Sequence, residues 1–403
     1  MKELPHVKVM RRFQAWDELP VLPEGRIGIY VGSHTHFSEK QNRAIDRFCA
    51  TYDAVVICDH TSGYYGKYKL LPTLVQLQSD ITSPFPPLDL MVHIGEISAA
   101  SFNDTIPAKE VWRVSEDGEL RDPFKKLTTV FQMSEEMFFL HYGKDGCNRH
   151  VLIDECRELF GEIYEQIPEL PFCNIWTAMQ LSSRLPKGAL FHMGVSNTRR
   201  CWNMFQLPES VESACNVGCC GIDGCVSTLV GASLVNPDRL CYVVVGDLTF
   251  FYDLNSLGNH HIGTNLRVML VNNGRGTEFR LGIHHCNVFG DDADKYMAAA
   301  GHFGNKSPLL VKHYAEDLGF HYLSATTKEE FMTALSNFTN PQLSDHSMIL
   351  EVFTDSKDES EALYLMSHIQ SDAKGMVRSK LKDAVRNVAG EKGINAIKKI
   401  LKK

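Results

Sequence analysis

Two polar strand ends carry the residue types best suited to act together. The apolar run YVVVGD ends on Asp247, and the run RVMLVNN ends on Asn273, 26 positions later. Ligands of open α/β sheets sit outside the carboxyl ends of the strands, so both residues belong at one crevice. A carboxylate, an amide oxygen and the backbone carbonyl of Arg275 just beyond are hard oxygen ligands. Such a set suits Mg²⁺, which keeps waters and takes its remaining ligands from a diphosphate. The backbone N–H groups of Leu248 and Thr249, after Gly246, open a helix toward the same anion. The competing account is that Asp, Asn and Gly simply make the turns that follow two buried strands.

The stretch from Gly246 to Asn273 resembles the diphosphate-and-metal motif of thiamine diphosphate (ThDP) enzymes: Gly-Asp-Gly, a spacer, then Asn-Asn. Leu248 stands where that motif has its second Gly. Within the superfamily, GDLTFFYDLNSL is most similar to the SEPHCHC synthases of menaquinone biosynthesis, which join isochorismate to a succinyl-semialdehyde unit made from 2-oxoglutarate. The resemblance extends upstream to Ser196-Asn197 and to GIDGCVSTLVGAS, which starts at Gly221. It implies ThDP and Mg²⁺ as cofactors. Ser196, Asn197, Gly221, Ile222, Gly246, Asp247, Leu248, Thr249 and Asn273 would surround the ThDP, and Asp247, Asn273 and the Arg275 carbonyl would hold the metal. Ile222 would be the wedge that bends the cofactor into its V shape. Without the resemblance, Ile222 reads as a core aliphatic and Ser196-Asn197 as a loop turn.

Downstream of the Asn pair lie Glu278, Arg280, His284 and His285, where ThDP enzymes often place residues facing the substrate. Glu278 reads as a proton-transfer group or as a solvated loop carboxylate. A His near pH 7 can donate or accept a proton, and in an extended backbone at most one of His284 and His285 faces the site. His260 and His261 belong to the helix after the metal motif and pack there. Upstream, the segment from Thr198 to Cys220 reads as a loop longer than its family counterpart, bringing Arg199, Arg200 and Trp202 toward the substrate. Arg199, Arg200 and Arg280 are the candidates for binding a substrate carboxylate. In the menaquinone enzymes, the helix opening this region carries Asn-Ser followed by a substrate-binding Arg. Here the stretch is Asn174-Ile175-Trp176-Thr177-Ala178-Met179, which keeps neither Ser nor Arg. The overall likeness is nearer to relatives in bacterial surface-polysaccharide pathways.

The elements that must position these residues follow from the chain's punctuation. RIGIYVG (26–32), AVVICD (54–59), LDLMVHIG (88–95) and KEVWRV (109–114) read as strands, and SEKQNRAIDRFCATY as a helix between the first two. That alternation is the signature of parallel βαβ units. A second α/β unit starts near ELPFCN (169–174), contains ALFHMGVSN, and ends with the strand SMILEVFTD near Asp355. The expected class is α/β, with two Rossmann-like three-layer domains of mainly parallel strands and a basic helical tail. Residues 1–165 form a central domain without cofactor chemistry, 166–372 the diphosphate-binding domain, and 373–403 the tail.

Composition fits this division. At 403 residues the chain exceeds what one core serves, and its 44% hydrophobic and 22% charged content is ordinary for globular proteins. No apolar run reaches the ~20 residues needed to span a bilayer, and the N-terminus lacks a signal-peptide core. Twelve Cys without regular spacing read as reduced thiols of a cytoplasmic protein. Cys215, Cys219 and Cys220 lack the paired spacing of a zinc site. The tail carries a net +8 against −8 for the whole chain. It is expected to dock or be solvated rather than lie on a membrane surface, because its apolar face lacks Trp and Phe. Nothing points to a nucleic-acid partner.

The favoured expectation is the diphosphate-binding portion of a ThDP enzyme acting on a small 2-oxo acid, a transferase or lyase that decarboxylates and then forms a C–C bond. The family's pyrimidine-binding domain supplies the Glu that protonates N1′ of the cofactor, and no counterpart of it is recognisable in the sequence. That domain is expected from another chain or a missing part of this one, giving a homo- or hetero-oligomer, and the isolated chain is expected to be inactive. A non-catalytic scaffold of the same fold and a Mg²⁺ site for another phosphate ester are the alternatives. Retained metal ligands oppose the first, and Ile222 in its GIDG setting opposes the second.

Overall fold

A computed structural model describes residues 9–81, 85–96, 106–218 and 220–371. The expected helical tail (373–403) and Cys219 lie outside the described residues. Each apolar, β-branched run anticipated from the sequence is a strand. The first sheet contains β1 (Arg11–Gln14), β2 (Ile27–Val31), β3 (Val55–Cys58), β4 (Lys69–Leu70), β5 (Leu88–Ile94), β6 (Ala108–Val114) and β7 (Leu127–Gln132). The second contains β8 (Leu190–Met193), β9 (Glu212–Cys215), β10 (Cys241–Gly246), β11 (Leu266–Asn272), β12 (His321–Ala325) and β13 (Met348–Phe353). Every pairing between these strands is parallel. Helices alternate with strands through the second sheet and lie between β2 and β3 and between β4 and β5 of the first, so the chain is α/β with Rossmann-like sheets.

The order in the first sheet is β1-β7-β6-β5-β2-β3-β4. Setting β1 aside, that is the 3-2-1-4-5-6 order of dinucleotide folds, whose ligand crevice opens where the order reverses, between β2 and β5. Here that crevice is shut. The Ser33 N–H donates to the Glu96 carbonyl at 2.6 Å, and the Glu96 N–H returns to the Ser33 carbonyl at 2.9 Å. Gly32 permits this approach, since a Cβ there would lie 2.1 Å from the Glu96 carbonyl oxygen. The likeness to a nucleotide fold therefore stops at topology.

The second sheet runs β12-β13-β11-β10-β8-β9. Its order reverses at β8, which places a crevice between the carboxyl ends of β8 and β10, next to that of β11. One apolar core joins residues of both sheets, from Ile29 and Val92 to Phe191 and Leu350. A smaller one, with Val243, Leu270 and Ile349, fills the other face of the second sheet. Polar contacts also cross between the sheets: the His60 N–H donates to Asn203 Oδ1 at 2.8 Å, and the Ser213 hydroxyl to the His60 carbonyl at 2.7 Å. Among the described residues no helix is long and apolar enough to cross a membrane, and their cysteines are all free.

Candidate functional site

Asp247 follows β10 directly and opens the helix Asp247–Tyr252, with Gly246 as its cap. The carboxylate is buried, at 2% exposure. Its Oδ1 accepts from the Leu248 N–H at 3.0 Å, and its Oδ2 lies 2.8 Å from His302 Nε2. A carboxylate oxygen has a further lone pair, so a ring N–H donating to Oδ2 does not prevent it from binding a cation.

The two residues of the Asn pair have different duties. Asn272 ends β11 and is buried, and its Nδ2 donates to Glu351 Oε1 at 2.7 Å. Tyr322 donates to the other oxygen of Glu351, also at 2.7 Å. Asn272 thus serves the sheet. Asn273 is half-buried, and its Oδ1 accepts from the Thr277 hydroxyl at 2.8 Å. Gly274 then turns the chain at φ +78, where a Cβ would meet Asn305 Nδ2 at 2.7 Å. The Arg275 carbonyl accepts from the Thr277 N–H at 2.9 Å and keeps one lone pair. Three hard oxygens therefore stand at the ends of neighbouring strands, and this donor set fits Mg²⁺ with a diphosphate.

The upstream segments arrive at the same edge. Ser196 precedes the helix Asn197–Trp202 with φ 60 and ψ −119, a conformation that costs a non-glycine residue about 1–3 kcal/mol. The Cys225 thiol, just after the GIDG turn, meets the Val195 backbone. Gly246 faces open space, and Leu248 abuts Gly276, whose added Cβ would lie 3.3 Å from the Leu248 side chain. Ile222 is half-buried and belongs to neither apolar core. That placement disfavours the core-aliphatic account. Ile222→Ala is expected to cost less than about 1 kcal/mol, below the ~2–5 typical of buried large-to-small changes, while lowering turnover of an assembled enzyme severalfold. Denaturant unfolding beside kinetics checks this; an equally large loss of stability restores the core account.

Two candidates read separately from the sequence meet each other. Arg200 donates to both oxygens of Glu278, at 2.6 and 2.8 Å, with both side chains largely shielded. Arg200 also approaches Asn197 Oδ1 at 3.5 Å. The Glu278 carboxylate is thus engaged by a guanidinium and is not a solvated loop group.

Other candidates fall elsewhere. Arg199 is buried and points away from Arg200, within electrostatic reach of Tyr30 and Cys215. Arg280 is held by the Gly290 carbonyl and by Asp291 and Asp294. His284 is half-buried with its Nδ1 accepting from the Cys286 N–H, and His285 is exposed at the start of a 3₁₀ turn, His285–Phe289. Three expectations need correction. Thr198–Cys220 is not one loop: it contains most of a helix and all of β9. Trp202 is fully buried against Phe191 and does not reach a substrate. His260 and His261 lie in an exposed turn, their rings in contact but tilted by 41°, and do not pack in a helix.

Sequence reading missed His302, 55 residues beyond Asp247, and Glu359, which reaches the crevice from a helix after β13. Only the third dimension brings them in. Beside His302 a cavity of about 460 Å³ opens, lined by Leu248, Phe251, Phe303 and Tyr314. On its lining, Tyr252 and Phe303 expose large apolar surface.

No family model matches the chain. It is 33% identical over 263 residues to a 2-succinyl-5-enolpyruvyl-6-hydroxy-3-cyclohexene-1-carboxylate (SEPHCHC) synthase of Bacteroides fragilis, covering 64% of this chain and 45% of the relative. It is 32% identical over 265 residues to the synthase of the same name from Phocaeicola vulgatus, covering 64% and 44%. A third, from Bacteroides thetaiotaomicron, is 32% identical over 259 residues, covering 64% and 44%. The chain thus spans less than half the length of the curated relatives it matches. It resembles the same synthases that its motifs between Ser196 and Arg275 resemble.

Proposed function

We propose that this chain is the diphosphate- and metal-binding portion of a ThDP-dependent enzyme acting on a 2-oxo acid, by decarboxylation followed by C–C bond formation. The observation that carries the reading is the adjacency of the carboxyl ends of β10 and β11, which Asp247 and the Asn273–Arg275 turn follow, beside the sheet's order reversal. Asp247 and Asn273 would hold Mg²⁺ through side-chain oxygens, and the Arg275 carbonyl would be the third protein ligand. Bound there, ThDP would supply a nucleophilic carbon for attack on the 2-oxo group. The chain's own residues bind and orient. Ser196 and Asn197 face the diphosphate, Ile222 supports the bent cofactor, and the Arg200–Glu278 pair borders the substrate side.

The partner we propose is a pyrimidine-binding domain, on another chain or on a further part of this one, that brings the activating carboxylate. The apolar lining of the 460 Å³ cavity, with Tyr252 and Phe303 exposed on it, supports this, because apolar patches of that kind mark interaction sites. The substrate is left as a small 2-oxo acid, with menaquinone-type and surface-polysaccharide-type acceptors both compatible with the likeness. The test is calorimetric titration of ThDP into the chain with Mg²⁺ and again with a chelator. Binding should require the cation, with affinity falling at least about tenfold on its removal, the lower end for disturbed metal sites. Equal affinity in both would point to the phosphate-ester or scaffold alternatives.

A further inference from the structure

Behind Asn197 sits a carboxyl group for which neither the motif nor the metal site has a use. Glu359 lies in the first turn of the helix Ser356–Ser367 and is 1% exposed. Its Oε1 accepts from the Asn174 N–H, where the helix Asn174–Leu181 begins, and from the Thr354 hydroxyl just after β13, each at 2.9 Å. Its Oε2 is buried without a hydrogen-bond partner, as is Asn174 Oδ1. The Asn197 amide faces the same carboxyl. Glu359 therefore ties together the entrance to the second sheet, the end of β13 and the helix after β8. From there the contacts continue through Asn197 Oδ1 to Arg200 and on to Glu278.

An ionised carboxyl is expensive to bury without full pairing, and among the described residues no cation faces this one directly. The titratable groups around it are the Cys173 and Cys201 thiols and Asp358 on its own helix, none of which supplies positive charge. Arg200 is one residue further away and is spent on Glu278. With no counter-charge beside it, a proton on the carboxyl is the least costly way to neutralise it.

We propose that Glu359 is a positioning residue for the diphosphate crevice, which through Asn197 sets the placement of Arg200. The inference rests on the ThDP reading of that crevice. Ionisation of Glu359 would place a negative charge behind the residues proposed to receive the diphosphate and strengthen the hold on the Asn197 amide that already faces it. Burial pushes the Glu359 carboxyl up to about 7, against the opposing pull of the Asn174 N–H, the Thr354 hydroxyl and Asn197. Relative to an unfolded Glu, the native state then holds an extra proton between about pH 4.5 and 7. Wild type accordingly loses stability from this group as pH rises through that window.

The experiment compares wild type, Glu359→Gln and Asn197→Ala, measuring melting midpoints from pH 5 to 8 and the affinity for ThDP with Mg²⁺ at pH 6 and 8.5. Gln keeps the shape and cannot ionise. The stability gap between Glu359→Gln and wild type should widen in favour of Gln from pH 5 to about 7 and level off toward pH 8. Wild type should bind ThDP about fivefold more weakly at pH 8.5 than at pH 6, the lower end of ordinary site-to-site couplings. Glu359→Gln should lose that dependence. Asn197→Ala should lose it too, while its stability still falls with pH as wild type does. A purely structural carboxyl would move the melting curves and leave the affinity ratio unchanged, which overturns the proposal. A constant stability gap overturns the buried proton. No ThDP binding by wild type at either pH instead removes the ThDP reading itself, and this proposal with it.

Discussion

Asp247→Ala abolishes Mg²⁺-dependent ThDP binding while the protein stays folded: that is the expected outcome of the most severe single change at the site. Asp247 brings the only formal negative charge among the three proposed ligands, so its loss removes most of the attraction for a divalent cation. Disturbing residues outside the ligand set commonly costs 10–100-fold in metal affinity, and losing the charged ligand itself should exceed about 100-fold. Folding should suffer little. The side chain makes one contact to His302 and one to its neighbour's N–H, and lost hydrogen bonds of this kind cost about 0.5–1.5 kcal/mol each. Asp247→Asn, which keeps the shape without the charge, separates electrostatics from sterics. Titration calorimetry with Mg²⁺ present reads the result. Wild-type affinity in Asp247→Ala would mean that the metal is held elsewhere.

The second large effect concerns the pair that closes over the crevice. Glu278→Ala strands the Arg200 guanidinium, and Arg200→Ala strands the carboxylate, in a place where each is largely shielded. Removing one partner of a buried pair costs 3–5 kcal/mol. With some solvent access on both sides, about 2–3 kcal/mol is expected for each single variant. The double variant Arg200→Met/Glu278→Leu should recover much of that loss, because no charge is left unpaired. Chemical denaturation of the two singles and the double closes a mutant cycle. Strictly additive losses would mean that the two side chains do not stabilise one another, and would return Glu278 to the role of an independent proton-transfer group.

The strands, and the residues placed at their ends, were legible because each signal is local. Alternating β-branched runs with Gly or Asp at the end announced β2, β3, β5, β10 and β11, and Asp247 and Asn273 came with them. What a helix does to neighbouring residues was not legible. Arg199 and Arg200 are adjacent in sequence, yet successive side chains on a helix leave in directions about 100° apart. One Arg therefore reaches Glu278 and the other faces the first sheet. Trp202 was misplaced for the same reason, since a segment read as loop is partly helix and turns it into the core. His302 and Glu359 could not be found at all. They come from elements 55 and 112 residues beyond Asp247, and their approach depends on strand order, which no local pattern encodes. Nor did composition reveal that Asn272 is committed to Glu351, leaving its neighbour for the site.

The apolar core shared by the two sheets has a mechanical consequence. Paired domains often capture ligands by closing like jaws about a hinge, but that requires a seam that can part. Here Ile29 and Val92 on one side share a close-packed interior with Phe191 and Leu350 on the other, and such interiors resist compression and shear. The first sheet therefore serves as a fixed abutment against which the β8 and β9 side of the second sheet is braced. A cofactor must enter from the opposite flank, past the short 3₁₀ turns between Thr277 and Asn305. Whatever docks on the bare Tyr252 and Phe303 side chains near there would act as a door to the crevice.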